Sequence, residues 1–140
     1  MNNRQILVTG GKGRLGSALD QLGCTTLGRD QLDICEPDSI AAAFETHTPQ
    51  IVINAAAYTA VDQAESDPET AYAVNGDAVC FLVDECEHRR IPLIQISTDC
   101  VFGDRRPDAP VSEMEEPDPL SVYGFSKRLG EWHAVRPGNV

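Results

Sequence analysis

The chain has 140 residues, 41% hydrophobic and 24% charged, the make-up of one globular domain with enough apolar material for a core. Its 22 acidic and 11 basic residues give a net charge of −11, which argues against nucleic acid or an anionic membrane as partner, since both require a basic surface. No apolar run approaches the ~20 residues of a membrane span, and Met1-Asn2-Asn3-Arg4 leads into a strand-like segment without signal-peptide architecture, so a cytoplasmic location is expected.

Gln5 to Thr9 is a short apolar run that ends in Gly10-Gly11-Lys12-Gly13-Arg14-Leu15-Gly16, after which Leu15, Ala18, Leu19 and Leu22 recur at helical spacing. Strand, glycine turn and helix in that order are what a dinucleotide's pyrophosphate needs: missing Cβ atoms allow the tight turn, the close approach of the pyrophosphate and the close packing of helix on strand, and the helix N-terminus holds the phosphates. A glycine turn without a ligand is the competing reading. Cys24 to Gly28 reads as the second strand, and Arg29-Asp30 follows, about 20 residues after the first glycine, where such folds discriminate their cofactor. A carboxylate there suits a free ribose 2′-hydroxyl and a guanidinium suits a 2′-phosphate, so the adjacent pair points to NADPH with NADH accepted. A surface ion pair would look the same.

Leu32-Asp33-Ile34 reads as a very short extended piece, with Asp33 able to accept from an adenine amino group; turn chemistry competes equally. Pro37-Asp38-Ser39 opens a helix that Pro49 stops. Gln50 to Ala57 is a near-continuous apolar run of the buried parallel type, with small residues at its end. Tyr58 to Asp67 is expected to be irregular. Asp67-Pro68 then caps one long helix to about Arg89, burying Ala71, Val74, Ala78, Phe81, Leu82 and Cys86. Pro92 to Ile96 is the last strand, delivering Ser97-Thr98-Asp99 at its C-terminal end, where ligands sit in open α/β sheets, although a Ser/Thr there is more often a turn or cap residue.

Residues 101 to 121, with Pro107, Pro110, Pro117 and Pro119, form a long loop of the kind that covers a site. Tyr123 and Lys127 follow on a helix that Pro137-Gly138 should end. At this spacing the phenol and the ammonium share one helix face, which is also what an incidental surface pair would do. The five cysteines include no Cys-x-x-Cys pair, and His47, His88 and His133 are isolated, so neither a disulfide framework nor a metal site is expected. Cys80 and Cys86 read as small core residues. The alternation of strands and helices predicts an α/β fold, a Rossmann-like, doubly wound parallel sheet with flanking helices over residues 1 to 140.

Four motifs in order carry a resemblance that covers nearly the whole chain: Thr9 to Gly16, Asn54-Ala-Ala-Ala57, Ser97-Thr98-Asp99 and Tyr123-x-x-x-Lys127. Together they resemble the extended short-chain dehydrogenase/reductase superfamily. Ile53 to Glu65, Ala71 to Asn75, Ile96 to Phe102 and Pro119 to Lys127 are similar to the dTDP-4-dehydrorhamnose reductases within it. The resemblance implies reduction of the 4-keto group of a dTDP-linked deoxysugar with NAD(P)H. By position, Tyr123 is the implied proton donor, Lys127 its partner and Thr98 the hydrogen bond to the substrate oxygen, with Asp99 beside it. Gly13, Arg14 and Leu15 are implied at the pyrophosphate, with Gly10 and Gly16 the outer glycines of the cofactor-binding loop, Arg29 at the adenosine ribose, and Asp33 and Ile34 at the adenine. Ala55, Ala56, Ala57 and Tyr58 are implied along the middle of the cofactor.

Chemistry supports those roles independently. Hydride addition to a ketone builds charge on oxygen, so an acid must supply a proton as it forms. A neighbouring ammonium is expected to draw the Tyr123 phenol down from its ordinary range. Three departures from the family pattern stand out: Cys100 replaces a usual tyrosine, Gly103-Asp104 reverses a usual order, and the substrate-binding region that follows in family members is absent here. A nucleotide-sugar partner and a compatible homodimer are implied. The alternatives are a non-catalytic cofactor-binding regulatory subunit, as among relatives such as the beta subunit of methionine adenosyltransferase, and an inactive fragment.

Overall fold

The computed structural model describes residues 5–103 and 110–135. The expected helix stop at Pro137-Gly138, the reversed Asp104 and Pro107 of the long loop lie outside the described residues. Four strands, β1 (Ile6–Thr9), β2 (Thr25–Leu27), β3 (Ile51–Asn54) and β4 (Leu93–Gln95), pair in parallel in the order β2-β1-β3-β4. The helices are α1 (Arg14–Gln21), α2 (Pro37–His47), α3 (Val61–Ala64), α4 (Pro68–Tyr72), α5 (Ala78–Arg89) and α6 (Val122–Ala134). This is the Rossmann-like α/β architecture read from the alternation of elements. Among the described residues no helix is long and apolar enough to cross a membrane.

The core follows from the two-residue period of the strands. Leu7 and Val52 face each other across β1 and β3, and Leu93 continues the row on β4. Ile40, Ala43 and Phe44 of α2 and Ala78, Leu82 and Cys86 of α5 complete the same cluster, with Leu27 and the post-β2 residues Leu32 and Ile34. The other sheet face carries Val8, Ile53 and Ile94. Its cover thins toward the β4 edge, where Ile94 is 49% exposed.

Several elements differ from the sequence reading. Leu32 to Ile34 takes the turn alternative: Gln31 and Leu32 donate back to the Gly28 carbonyl, and Asp33 Oδ1 accepts from Cys35 N at 3.0 Å. The apolar run from Gln50 is strand only to Asn54; Ala55 to Ala57 leave the sheet. The stretch from Tyr58 to Asp67 contains the short helix α3, because Val61 and Ala64 supply one apolar turn, with Ala64 fully buried. The long helix is interrupted by a π-helical turn, Ala73–Asp77. Cys86 is buried as expected, whereas Cys80 is only half-buried, its thiol 3.9 Å from Asp84 Oδ2.

Packing accounts for the π turn. Gly76 lies against Leu129, and Gly130 of α6 lies against the Asn75 carbonyl so closely that neither glycine has room for a Cβ. Two glycines thus let α6 dock on the turn, and the turn in return aims Asn75 inward.

Candidate cofactor groove and active site

Because β2 and β3 flank β1 on opposite sides, the chain departs in opposite directions at the ends of β1 and β3, and a crevice opens there. It is a cavity of about 780 Å³, walled by Gly10, Lys12, Gly13 and Arg14 of the glycine loop, by Gly28, Arg29 and Leu32 to Cys35 after β2, and by Ala55 to Thr59 after β3. Thr70 and Val74 close the far wall. Gly10 has φ +68° and a Cβ on it would stand 2.7 Å from both Ala55 O and Ala56 N, so a side chain would drive the two loops apart. Gly13 caps α1 without a side-chain hydrogen bond and no acid follows in the first turn, leaving the N-terminal amides facing an anion's place.

Leu15, implied at the pyrophosphate, and Gly16, the third glycine of the loop, do not line the cavity. Leu15 is exposed, and Gly16 is a packing residue whose Cβ would meet Gly10 O at 2.5 Å. Arg29 Nε donates to Asp33 Oδ2 at 3.0 Å; the same contact raises the guanidinium's pKa further. The Cys35 amide and Arg29 hold the Asp33 carboxyl below the usual carboxylate range.

Thr98 and Tyr123 lie near one another, and Lys127 follows one turn later on α6; none of the three lines the groove. Ser121 caps α6, accepting from Gly124 N at 3.0 Å, and Glu65 Oε1 accepts from Val122 N at 2.8 Å, so the first turn is pinned where Tyr123 sits. Tyr123 packs with Ala64 and Ala71, against Tyr58, which lines the groove. Thr98 follows the end of β4, caps the short 3₁₀ turn Asp99–Phe102 by accepting from Cys100 N at 3.2 Å, and lies near enough to Tyr123 to lower the phenol's pKa. Asp99 is exposed and accepts from Thr98 Oγ1 at 3.2 Å. Cys100 lies against the Tyr123 cluster, where the family pattern has a tyrosine.

Lys127 is buried, 4% exposed, and its Nζ donates to Ile96 O at 2.6 Å. Burial lowers its pKa, with Glu131 acting the other way. The expected effect on the phenol is corrected here: burial pushes Tyr123 up, Thr98 pulls it down, Cys100 and Asp99 add to the rise, and Lys127 is not among the groups that shift it. The reason is burial in an apolar cluster with Ala64 and Ala71, which disfavours the charged phenolate.

Sequence reasoning assigned no role to the polar residues that hold this arrangement. Asn75 Oδ1 accepts from Tyr58 N at 2.9 Å, and its Nδ2 donates to Tyr58 O and Ser126 Oγ, both at 3.0 Å. Ser126 Oγ donates to Tyr123 O at 2.8 Å. One amide thus joins the groove wall to the tyrosine helix. Across the sheet ends, Thr9 Oγ1 donates to Asn54 Oδ1 at 2.5 Å and Asn54 Nδ2 to Gln95 Oε1 at 2.7 Å. Gln95 Nε2 then donates at 2.9 Å to the same Ile96 carbonyl that takes Lys127. Polar side chains at strand ends, Thr9, Asn54 and Gln95, are the signal that could have found this row.

Comparison with known proteins agrees with the geometry. The profile of the RmlD substrate binding domain matches residues 4–139. A dTDP-4-dehydrorhamnose reductase of Streptomyces griseus is 42% identical over 134 residues, covering 89% of this chain and 43% of the relative. A probable low-salt glycan biosynthesis reductase, Agl14, of Haloferax volcanii is 40% identical, covering 94% and 49%. The crystal structure of dTDP-4-dehydrorhamnose reductase from Bacillus anthracis in complex with NADP superposes with a TM-score of 0.86 at 31% identity, covering 91% of this chain and 47% of that one. The chain spans about half the length of the curated relatives it matches. With its fold, its glycine loop and its four motifs in register, the chain belongs to the RmlD substrate binding domain family.

Proposed function

We propose that residues 1 to 140 are the cofactor-binding and catalytic portion of an NAD(P)H-dependent reductase acting on the 4-keto group of a dTDP-linked deoxysugar, dTDP-4-dehydro-L-rhamnose being reduced to dTDP-L-rhamnose. The observation that carries it is the groove of about 780 Å³, running from the glycine loop to Tyr58, which packs against the apolar cluster that holds Tyr123. The residues fit a dinucleotide: Gly10, whose missing Cβ lets the glycine loop lie against Ala55 and Ala56, lines the groove with Gly13 and Arg14, and Arg29 lines it after β2, where the ribose would be held. Bound there, the nicotinamide supplies the hydride. Tyr123 gives its phenolic proton to the carbonyl oxygen as charge gathers on it, and Thr98 donates to the same oxygen. Lys127 holds its place through Ile96 O and would be the residue to hold the nicotinamide ribose. Asp99, exposed beside Thr98, faces the sugar side. The catalytic and substrate-binding roles come from the family resemblance by position, and the geometry is compatible with them.

A second reading, dinucleotide binding without turnover, is favoured by the raised phenol of Tyr123 and the carbonyl-bound Lys127. Titration with NADPH and NADH, followed by NADPH oxidation in the presence of dTDP-4-dehydro-L-rhamnose, separates the two. Binding with oxidation supports the reductase; binding alone supports the second reading; no binding defeats both.

A further inference from the structure

The polar row across the sheet ends stops on the atom that holds the Lys127 ammonium. Ile96 O accepts from Lys127 Nζ at 2.6 Å and from Gln95 Nε2 at 2.9 Å. Gln95 is itself held: its Oε1 accepts from Asn54 Nδ2 at 2.7 Å, and Asn54 Oδ1 takes the Thr9 hydroxyl and, at 3.3 Å, the Ala56 amide. Ala56 lines the groove, so the row runs from the groove wall after β3 to Lys127 on α6. The Ile96 peptide is fixed from its nitrogen as well, which donates to Asn54 O at 3.2 Å.

We infer that Gln95 is a positioning residue for Lys127: by occupying one acceptor site of the Ile96 carbonyl, it confines the ammonium to the other. The inference rests on the dinucleotide reading of the groove and deepens it. A carbonyl oxygen has two lone pairs, and an ammonium has three donors. With Gln95 on one lone pair, Lys127 has a single place at the oxygen, and its other donors are aimed in fixed directions. Without Gln95 the ammonium, on a side chain only 4% exposed, swings between both lone pairs. A group held in its bound position before the ligand arrives loses less freedom on binding. Gln95 does not line the groove, so its effect reaches a ligand through Lys127, at the nicotinamide ribose.

The test is calorimetric titration of this chain with NADPH and with 2′-phospho-ADP, which keeps the adenosine and the pyrophosphate and lacks the nicotinamide ribose. The proteins are the unchanged chain, Gln95→Met, Lys127→Met and the double variant. Gln95→Met is expected to weaken NADPH by about fivefold, the size of one hydrogen bond, and 2′-phospho-ADP by less than about twofold. Added to Lys127→Met it should change neither affinity. Gln95→Glu keeps the acceptor for Asn54 and loses the donor to Ile96 O; it should repeat the selective loss, and it decides the matter where Gln95→Met does not fold. Lys12 and Lys127 are the chain's lysines, so NMR of protein labelled at lysine Cε sees the ammonium's stem directly. Removing the Gln95 amide should move the Lys127 signal and leave that of Lys12 in place. Equal weakening of both ligands, unchanged NADPH affinity, a loss that persists without Lys127, or an unmoved Lys127 signal overturns the inference while leaving the dinucleotide groove intact. Failure of the unchanged protein to bind NADPH removes the proposed function, and this inference with it.

Discussion

At the scale of single residues, Tyr123 separates chemistry from binding. Its ring belongs to an apolar cluster with Ala64 and Ala71, so Tyr123→Phe keeps the packing and removes the proton. If the unchanged protein reduces the ketosugar nucleotide, this variant should lose at least about 100-fold in turnover, with NADPH affinity within about twofold. Retained turnover would sink the assignment. Cys86 makes a different prediction. Burial pushes its thiol up to about 12, above its ordinary 9.0. For a group whose folded pKa is raised, the stability contribution is complete below the unfolded value and drains away as pH climbs through the folded one. The urea midpoint should therefore fall between about pH 8 and about pH 10.5, and Cys86→Ala should show a shallower fall. Tyr123, also raised, acts in the same sense. Lys127, lowered by burial, opposes them, since its charged form is penalised in the fold and that penalty is relieved as it loses its proton. Equal slopes in the two proteins would refute the thiol's part.

At the scale of elements, the π turn and α6 behave as one unit. Gly130→Ala drives a methyl into the Asn75 carbonyl, an overpacking that should cost about 1 to 3 kcal/mol. Asn75→Ala leaves Tyr58 N and O without their side-chain partner and should cost about 2 kcal/mol. Thermal unfolding measures both. Because Asn75 is bonded to the groove wall and to Ser126, its loss should also weaken dinucleotide binding more than Gly→Ala changes at exposed Gly23, where a Cβ would meet nothing. The reverse order would mean that the amide only fills space. Helix α5 itself was legible from spacing, but its buried Val79 and Val83 extend the apolar surface beyond one stripe, and what lies over the second face, α6, arrives from about 50 residues downstream.

At the scale of the whole molecule, a net charge of −11 loads the surface with like charges that repel in the folded state. Salt screens such repulsion, so the melting temperature should rise by at least about 4 °C between about 0.05 M and about 2 M KCl. An unchanged melting point would show that the acids are already spaced or paired enough to be harmless.

Sequence by itself determined the parallel sheet, the glycine loop and the positions of Thr98, Tyr123 and Lys127, because each depends on local periodicity or on a motif whose parts lie a few residues apart. Gly10, Gly13 and Arg14 were readable for the same reason. Only the tertiary structure decided that Leu15 faces outward, that Lys127 donates a hydrogen bond to Ile96 O, and that Lys12 reaches across to Asp30. Those outcomes turn on which groups from distant parts of the chain come within about 3 Å of one another, and hydrogen bonds and ion pairs at that range leave no periodic trace in the residues that make them.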